Sequence, residues 1–297
     1  MNTILNDFKY AWNRPNNAVA QIILINVIVF VALLLFNAIF KRVGNGEISV
    51  LVTNQFQLPS PISEFIFRPW TSLTYAFNHF GIWHLLINMI AFFWFGRLIQ
   101  EYLGSQKLIN IYVISALAGA LMFLFVYNVI PGLGIGIMRG ASGAIFGVMV
   151  AAVTLLPDYR FNLLLIGPVK IIYIALFFII SSFIGLDELD NVGGNLAHLT
   201  GAAIGWVYIK QLQKGNEMGV WVFKTMEFFK GLFKPRPKIK VSHRKKAEKA
   251  SSKSGSTSTK SSVSQDEIDT ILDKISEKGY ESLSKEEKEK LFNASRK

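Results

Sequence analysis

One serine stands where its hydroxyl could act as a nucleophile. Ser142 lies within the stretch Gly140-Ala-Ser-Gly143, and a long apolar stretch follows it. If that stretch is a helix, the N–H groups of its first turn lack acceptors and can stabilise a developing oxyanion. Ser142 is therefore a candidate nucleophile for acyl transfer. The alternative interpretation is structural, because Gly143 and Gly147 would also let two membrane helices pack closely.

Three of the four histidines lie in or beside apolar stretches: His79, His84 and His198. His84 and Asn88 are four residues apart, so on a helix they would direct two donors at one point. His198 precedes Gly201 and Gly205, which would make a helix surface flat enough for another helix to approach. If that helix carries the candidate serine, His198 becomes its general base. Each motif also has a structural alternative, a polar side chain that only holds neighbouring helices together.

The elements that would position these side chains are membrane helices. Hydrophobic residues make up 51% of the 297-residue chain and charged residues 17%, which is unusual for a soluble protein. Six apolar stretches meet or approach the roughly 20 residues that a helical span needs. They cover residues 19–40, 82–96, 108–130, 143–156, 169–186 and 194–212. The sequence therefore predicts an all-α, polytopic membrane protein with six transmembrane helices.

The fourth stretch is short, and the residues before it do not favour a helix. Residues 143–156 would form about 21 Å of helix, against a hydrocarbon core of about 30 Å. Residues 131–140 contain four glycines and a proline. Irregular backbone of this kind survives at membrane depth only beside protein or a water-filled cavity. The sequence therefore predicts that Ser142 begins a helix beside a wet pocket.

The motifs HxxxN, GxSG and AHxxGxxxG occur in this order on the predicted second, fourth and sixth spans. This joint pattern resembles the rhomboid family of intramembrane serine proteases, over roughly residues 18–213. The resemblance implies that Ser142 is the nucleophile and His198 the general base, with His84 and Asn88 as oxyanion donors. It also implies that the substrate is a transmembrane segment that unwinds near the outer face. The predicted chemistry uses no metal and no cofactor.

Two positions depart from the family pattern. The family often has Trp-Arg in its first outside loop, where this chain has Trp70-Thr71, and a tyrosine one turn after the serine, where this chain has Phe146. Phenylalanine keeps a ring that could stack on His198 but lacks the hydroxyl. Every Asp and Glu of the core lies in a predicted loop or helix flank. The sequence therefore predicts that packing, rather than a carboxylate, holds the imidazole.

The net charge of +11 is unevenly distributed and indicates an orientation. Residues 214–263, directly after the last span, carry 13 Lys+Arg against 3 Asp+Glu. Because basic residues collect on the cytoplasmic side, we expect both termini in the cytoplasm and the spans in a bacterial inner membrane. Four basic residues nevertheless fall on the predicted outside: Lys41, Arg42, Arg68 and Arg139. The bilayer, rather than nucleic acid, is the predicted partner of the basic segment.

The chain divides into four predicted regions. They are a cytoplasmic segment (1–17), a six-helix membrane domain (18–213), a basic, partly disordered linker (214–263) and a small helical hairpin (264–297). In the hairpin, Ser264 with Glu267 and Ser284 with Glu287 match capping boxes, and Gly279 is a stop signal. A shared apolar face is predicted for Ile268, Ile271, Leu272 and Ile275. Such a hairpin is too small to be stable without a partner, which the sequence does not identify.

Two segments of the membrane domain have further predicted roles. The outside connection, residues 41–81, is rich in aromatic residues, and it is predicted to lie against the membrane interface. The alternative is an ordinary folded loop with a small core of its own. The fifth span and the loop after it are candidates for a moving gate.

A rival function is a catalytically inactive rhomboid-like protein that binds or escorts membrane clients. Such relatives lack the serine or the histidine, and this chain has both. A transporter or channel is a weaker rival, because no inverted repeat is visible and no charged residue lies in the spans except near their ends.

Overall fold

The computed structural model describes residue 6 and residues 12–164, 166–187, 191–233 and 265–294. The chain divides into two compact units, Met1–Pro235 and Arg236–Lys297. The Ser- and Lys-rich part of the predicted linker lies outside the described residues. So do Ser264 of the first predicted capping box and the acids Glu188 and Asp190 of the last outside loop.

Helices make up most of the first unit, and the all-α prediction is confirmed. They are α1 (Ala18–Arg42), α2 (Gly46–Thr53), α3 (Ile62–Phe65), α4 (Thr71–Thr74), α5 (Ile82–Val129), α6 (Ser142–Leu155), α7 (Ile171–Ile184), α8 (Val192–Gln213) and α9 (Val220–Phe233). Among the described helices, α1 and α5 are long and apolar enough to cross a membrane. α6 and α7 are apolar helices of 14 residues each.

α5 combines the second and third predicted spans, and the loop predicted between them is reduced to a bend. The bend lies at Gly104, whose φ of 84° suits a residue without a Cβ. Beside it, Gln100 Oε1 accepts the N–H of Val19 at 2.8 Å, and Ser105 Oγ accepts the N–H of Ala18 at 3.0 Å. These bonds satisfy N–H groups that the first turn of α1 cannot pair internally. They fix the start of α1 to the bend.

α6 packs between α5 and α8 at the centre of the unit. A Cβ on Gly201 would lie 2.0 Å from Gly143 O, and a Cβ on Gly205 would lie 2.0 Å from Gly147 O. Because the obstructing atoms belong to the backbone of α6, no larger residue fits without moving one helix. This close approach places His198, which is less than one turn before Gly201, over the N-terminal turn of α6.

Two short antiparallel ribbons order the loops between the helices. β1 (Leu58–Pro59) pairs with β2 (Ile137–Met138), and β3 (Arg160–Leu163) pairs with β4 (Gly167–Lys170). The first ribbon joins the long outside connection to the glycine-rich segment before α6. That segment is non-helical, as the sequence predicts.

The prediction that the fifth span begins at residue 169 is wrong. Val169 lies in β4, where it pairs with Phe161, and α7 begins at Ile171. Pro168 lacks the N–H that a helix interior uses, which favours this later start. The buried residues of α7 are Ile171, Ala175 and Ser182. Half of the 14 residues of this helix are exposed, as a lipid-facing surface would be.

The outside connection of residues 41–81 is folded. It contains α2, α3, α4 and two 3₁₀ turns. Leu58 and Tyr75 are fully buried, whereas Phe67 and Phe80 are mostly exposed. The segment thus has a core of its own together with an exposed aromatic surface, and each sequence interpretation describes part of it.

α9 lies within the stretch that the sequence predicted as a basic linker. Val222 is buried, while Trp221 and Phe223 on the same helix are exposed. Just before the helix, Lys107 pairs with Glu217. The count of charged residues over 214–263 did not reveal α9, because it averages this apolar helix with the Lys-rich residues that follow.

The second unit contains α10 (Gln265–Lys278) and α11 (Lys285–Ala294). α10 ends before Gly279, whose φ is 78°. The predicted second capping box forms: Ser284 N–H donates to Glu287 at 2.7 Å, and Glu287 N–H donates to Ser284 Oγ at 3.3 Å. Ile271 is buried but Leu272 is 49% exposed. The predicted shared apolar face is therefore only partly packed.

Candidate active site

Ser142 and His198 are in hydrogen-bond contact. Ser142 is the first residue of α6, and His198 lies near the start of α8. His198 Nε2 is 2.7 Å from Ser142 Oγ. Because Ser142 begins its helix, its own N–H has no acceptor within the helix. A hydroxyl bonded to an imidazole beside such an N–H has the geometry of an activated nucleophile.

The His198 ring is held by a stacked ring and by a second serine. The Phe146 and His198 ring centroids are 4.4 Å apart and the planes differ by 9°. On the other nitrogen, His198 Nδ1 lies 3.1 Å from the Oγ of Ser182 in α7. The stacking agrees with the prediction that packing holds the imidazole. The hydrogen bond is an addition that the sequence analysis missed.

Ser182 could not be distinguished from its neighbour by sequence. Serines in apolar helices commonly bond to the backbone one turn earlier, as Ser181 Oγ does to Phe177 O at 2.8 Å. Only the packing of α7 against α8 turns Ser182 toward His198. Ser182 is 4% exposed, so its hydroxyl is removed from lipid and needs a partner.

His84 lies against the backbone just before Ser142. A Cβ on Gly140 would be 2.7 Å from His84 Cε1, and Gly140 has a φ of 121°, so both space and conformation require glycine. Asn88 uses its Nδ2 to donate to His84 O at 2.7 Å. The structure therefore brings His84 beside the candidate nucleophile, whereas one Asn88 donor is engaged within its own helix.

Two buried residues without a role in the sequence analysis support this turn. Gly140 N–H donates to Tyr75 O at 3.0 Å, and Ala141 N–H approaches His79 Nε2 at 3.5 Å. Tyr75 in turn donates its hydroxyl to Ala116 O at 2.8 Å. The turn that presents Ser142 is thus tied to the outside connection and to α5. His79 was recognisable as a histidine beside an apolar stretch, but nothing in its spacing indicated this contact.

A cavity of about 730 Å³ opens over these residues. Its lining includes Ser142, His198, His84, Asn88, Phe80 and Arg139. The volume is in the range that can hold a ligand or a short peptide segment. Among the residues that the structure describes, no three His, Asp or Glu side chains are grouped to hold a metal ion.

Comparison with known proteins supports the assignment made from these motifs. The family model of the rhomboid domain matches residues 67–214. The chain is 30% identical over 158 residues to the rhomboid protease GlpG of Haemophilus influenzae, which covers 50% of this chain and 73% of that protein. The chain belongs to the rhomboid family. The predicted polytopic, helical membrane fold is the fold of this family.

Other relatives of this rhomboid come from eukaryotes. It is 29% identical over 168 residues to RHOMBOID-like protein 12, mitochondrial, of Arabidopsis thaliana, covering 50% of this chain and 48% of that relative. It is 37% identical over 94 residues to Rhomboid protein 1, mitochondrial, of Saccharomyces cerevisiae, covering 32% and 27%. This rhomboid thus spans about half or less of the length of these two relatives.

A second family model matches the C-terminal end of this rhomboid. It covers residues 258–297 and describes a family of unknown function (DUF6576). The matched region includes α10 and α11. The rhomboid family model ends at residue 214, before the hairpin.

Proposed function

We propose that this rhomboid is an intramembrane serine endopeptidase in which Ser142 is the nucleophile and His198 the general base. The observation that carries the proposal is the 2.7 Å contact between Ser142 Oγ and His198 Nε2 beside a cavity. Membership of the rhomboid family, a family of intramembrane proteases, and similarity to a relative named as a protease support it.

The reaction is acyl transfer in two halves. His198 Nε2 takes the Ser142 proton while Oγ attacks the carbonyl carbon of a peptide bond. The tetrahedral intermediate collapses, the C–N bond breaks, and the leaving amine takes the proton from His198. A water molecule then gives a proton to His198 and attacks the ester carbon, which releases the acid and restores Ser142.

The oxyanion is stabilised by N–H donors around the turn before α6. The Ser142 backbone N–H is one donor and the His84 imidazole is a second. Asn88 becomes a third when its amide turns from its own helix toward the substrate. Loss of one such donor costs about 2.7–4 kcal/mol of transition-state stabilisation.

Ser182 acts as a positioning residue for the base. Its hydroxyl accepts a hydrogen bond from His198 Nδ1–H, which leaves Nε2 unprotonated and directed at Ser142. Phe146 fixes the plane of the ring. The pair replaces the orienting carboxylate of soluble serine proteases with a neutral partner. This suits a site in whose lining the structure describes no Asp or Glu.

The substrate is a transmembrane segment of another membrane protein. A helix hides its carbonyls in internal hydrogen bonds, so the segment must unwind to reach Ser142. α7 is the gate for its entry, because half of its residues are exposed. We place both termini in the cytoplasm of a bacterium, with the basic segment on the inner leaflet of its inner membrane.

The test uses the full chain in proteoliposomes with a single-span substrate. Ser142→Ala and His198→Ala should each abolish cleavage. His84→Ala should lower kcat about 10²- to 10³-fold without stopping cleavage. Equal cleavage by Ser142→Ala and the wild type would contradict the proposal. Client binding without cleavage by the wild type would favour the inactive, escorting alternative.

A further inference from the structure

Arg139 is a cation in the wall of the cavity that no anion of the described chain neutralises. The residue lies three positions before Ser142 and lines the same cavity. None of the described ion pairs includes it, and no Asp or Glu among the described residues lines the cavity. Its Nε is buried without a hydrogen-bond partner among the described residues. Such a donor carries a desolvation cost until an acceptor reaches it.

The backbone on both sides of Arg139 is fixed. Met138 pairs with Leu58 in the first ribbon, and Gly140 N–H donates to Tyr75 O at 3.0 Å. The guanidinium carbon lies 4.1 Å from the centre of the Phe80 ring, a cation–π contact. This contact orients the guanidinium but provides no negative charge.

We propose that Arg139 binds the carboxylate of an acidic residue near the scissile bond of the substrate. The inference rests on the proposed function. The peptide must occupy the cavity for Ser142 to attack it, so its side chains reach this wall in every turnover. A guanidinium that is held over a ring and partly desolvated can bind a carboxylate with two parallel hydrogen bonds. The position of Arg139 on the predicted outside, against the usual distribution of basic residues, is explained by this use.

A substrate carboxylate fits better than a lipid phosphate. The cavity that Arg139 lines is also lined by the catalytic pair and Asn88, which are groups that a substrate backbone must contact. A lipid headgroup in that place would block attack. The preferred substrate is therefore a transmembrane segment with an Asp or Glu within about three residues of the cut, since an extended chain advances about 3.3 Å per residue.

The experiment compares matched substrates in neutral and in anionic vesicles. Each substrate carries either Asp or Asn at one position around the cut, and kcat/KM is measured for each pair. The wild type should prefer Asp at one position by about ten- to a hundredfold. Arg139→Gln should bring the ratio close to one, and Arg139→Glu should reverse it for a substrate carrying Lys there.

Arg68→Gln is the matched control. Arg68 is also on the predicted outside, but its charge is already met by Glu64 at 2.5 Å, and it does not line the cavity. The Asp/Asn ratio should stay at the wild-type value in this variant.

Three results would overturn the inference. They are an Asp/Asn ratio of one at every position in the wild type, an equal loss on both substrates in Arg139→Gln, and a dependence on anionic lipid in place of the substrate charge. The last would identify a lipid phosphate as the ligand. Cleavage of the Asn substrates by the wild type, lost in Ser142→Ala, keeps the protease proposal separate from this one.

Discussion

At the scale of the residue, the imidazole of His198 is held from three sides. Ser142 and Ser182 occupy its two nitrogens at 2.7 and 3.1 Å, and Phe146 covers one face. Two of these contacts, from Ser142 and Phe146, come from α6, and the contact from Ser182 comes from α7. The direction of Nε2 therefore depends on how α7 packs as well as on the α6–α8 contact.

Replacing Ser182 should make His198 a less efficient general base without abolishing cleavage. Ser182→Ala deletes a hydrogen bond of about 0.5–1.5 kcal/mol, so kcat should fall about two- to tenfold with little change in KM. Ser182→Thr keeps the hydroxyl and should restore most of the rate. Steady-state cleavage of one substrate by the purified variants measures both constants.

Ser181→Ala is the control for the two substitutions of Ser182. Its hydroxyl bonds to its own helix, and the variant should keep the wild-type kcat. Equal losses at the two serines would mean that the effect comes from α7 stability and that Ser182 has no role in orienting the base.

The proposed nucleophile and base could be selected from sequence, whereas Ser182 and Arg139 could not. Ser142 and His198 lie in short motifs, and the glycine and alanine residues of those motifs distinguish them from other serines and histidines. Ser182 is one of two adjacent serines in an apolar helix, and Arg139 is a single basic residue in an irregular loop. Their contacts arise from tertiary packing, which the local pattern does not specify.

At the scale of the element, the glycine contacts between α6 and α8 set the distance between Ser142 and His198 on which the proposed catalysis depends. A Cβ on Gly201 would overlap Gly143 O. The sequence predicted these glycines as packing positions because their spacing puts them on one face. The sequence predicted the bounds of α5 and α7 less accurately. The bend at Gly104 within α5 and the strand that ends at Lys170 before α7 leave the pattern of apolar residues almost unchanged.

Gly201→Ala should separate α8 from α6 and reduce cleavage strongly. The added methyl meets backbone that cannot turn aside, and overpacking of this kind costs about 1–3 kcal/mol of stability or more. Thermal unfolding in detergent and kcat should both report the change. Gly231→Ala is the matched control, because a Cβ there meets nothing within 4 Å. Wild-type activity in Gly201→Ala would contradict the close contact.

At the scale of the whole molecule, the chain joins a rhomboid membrane unit to a helical hairpin of another family. The hairpin has its own charged contacts. The Lys274 ammonium, with Ser284 N–H, lowers the pKa of Glu287 below its usual value. The carboxylate thus favours the folded hairpin when it is charged.

The hairpin should consequently lose stability in acid. A carboxylate whose folded pKa is depressed contributes stability above its unfolded pKa, about 4.5, and this contribution fades as the pH falls through the lower folded value. The hydrogen-exchange protection of residues 265–294 in the full chain, corrected for the pH dependence of intrinsic exchange, should fall as the pH drops below about 4.5. Glu287→Gln should show a smaller change with pH. An identical pH response in both proteins would contradict this role of Glu287.

Labelling of Ser142 by a fluorophosphonate tests the central claim most directly, because the reagent reacts with a serine hydroxyl only when a base activates it. In native membranes, the wild type should be labelled at Ser142, and Ser142→Ala and His198→Ala should both remain unlabelled. Ser181→Ala should be labelled at the wild-type rate. If the wild type is not labelled, or if labelling survives in His198→Ala, the pairing of this hydroxyl with this imidazole is not the source of activity.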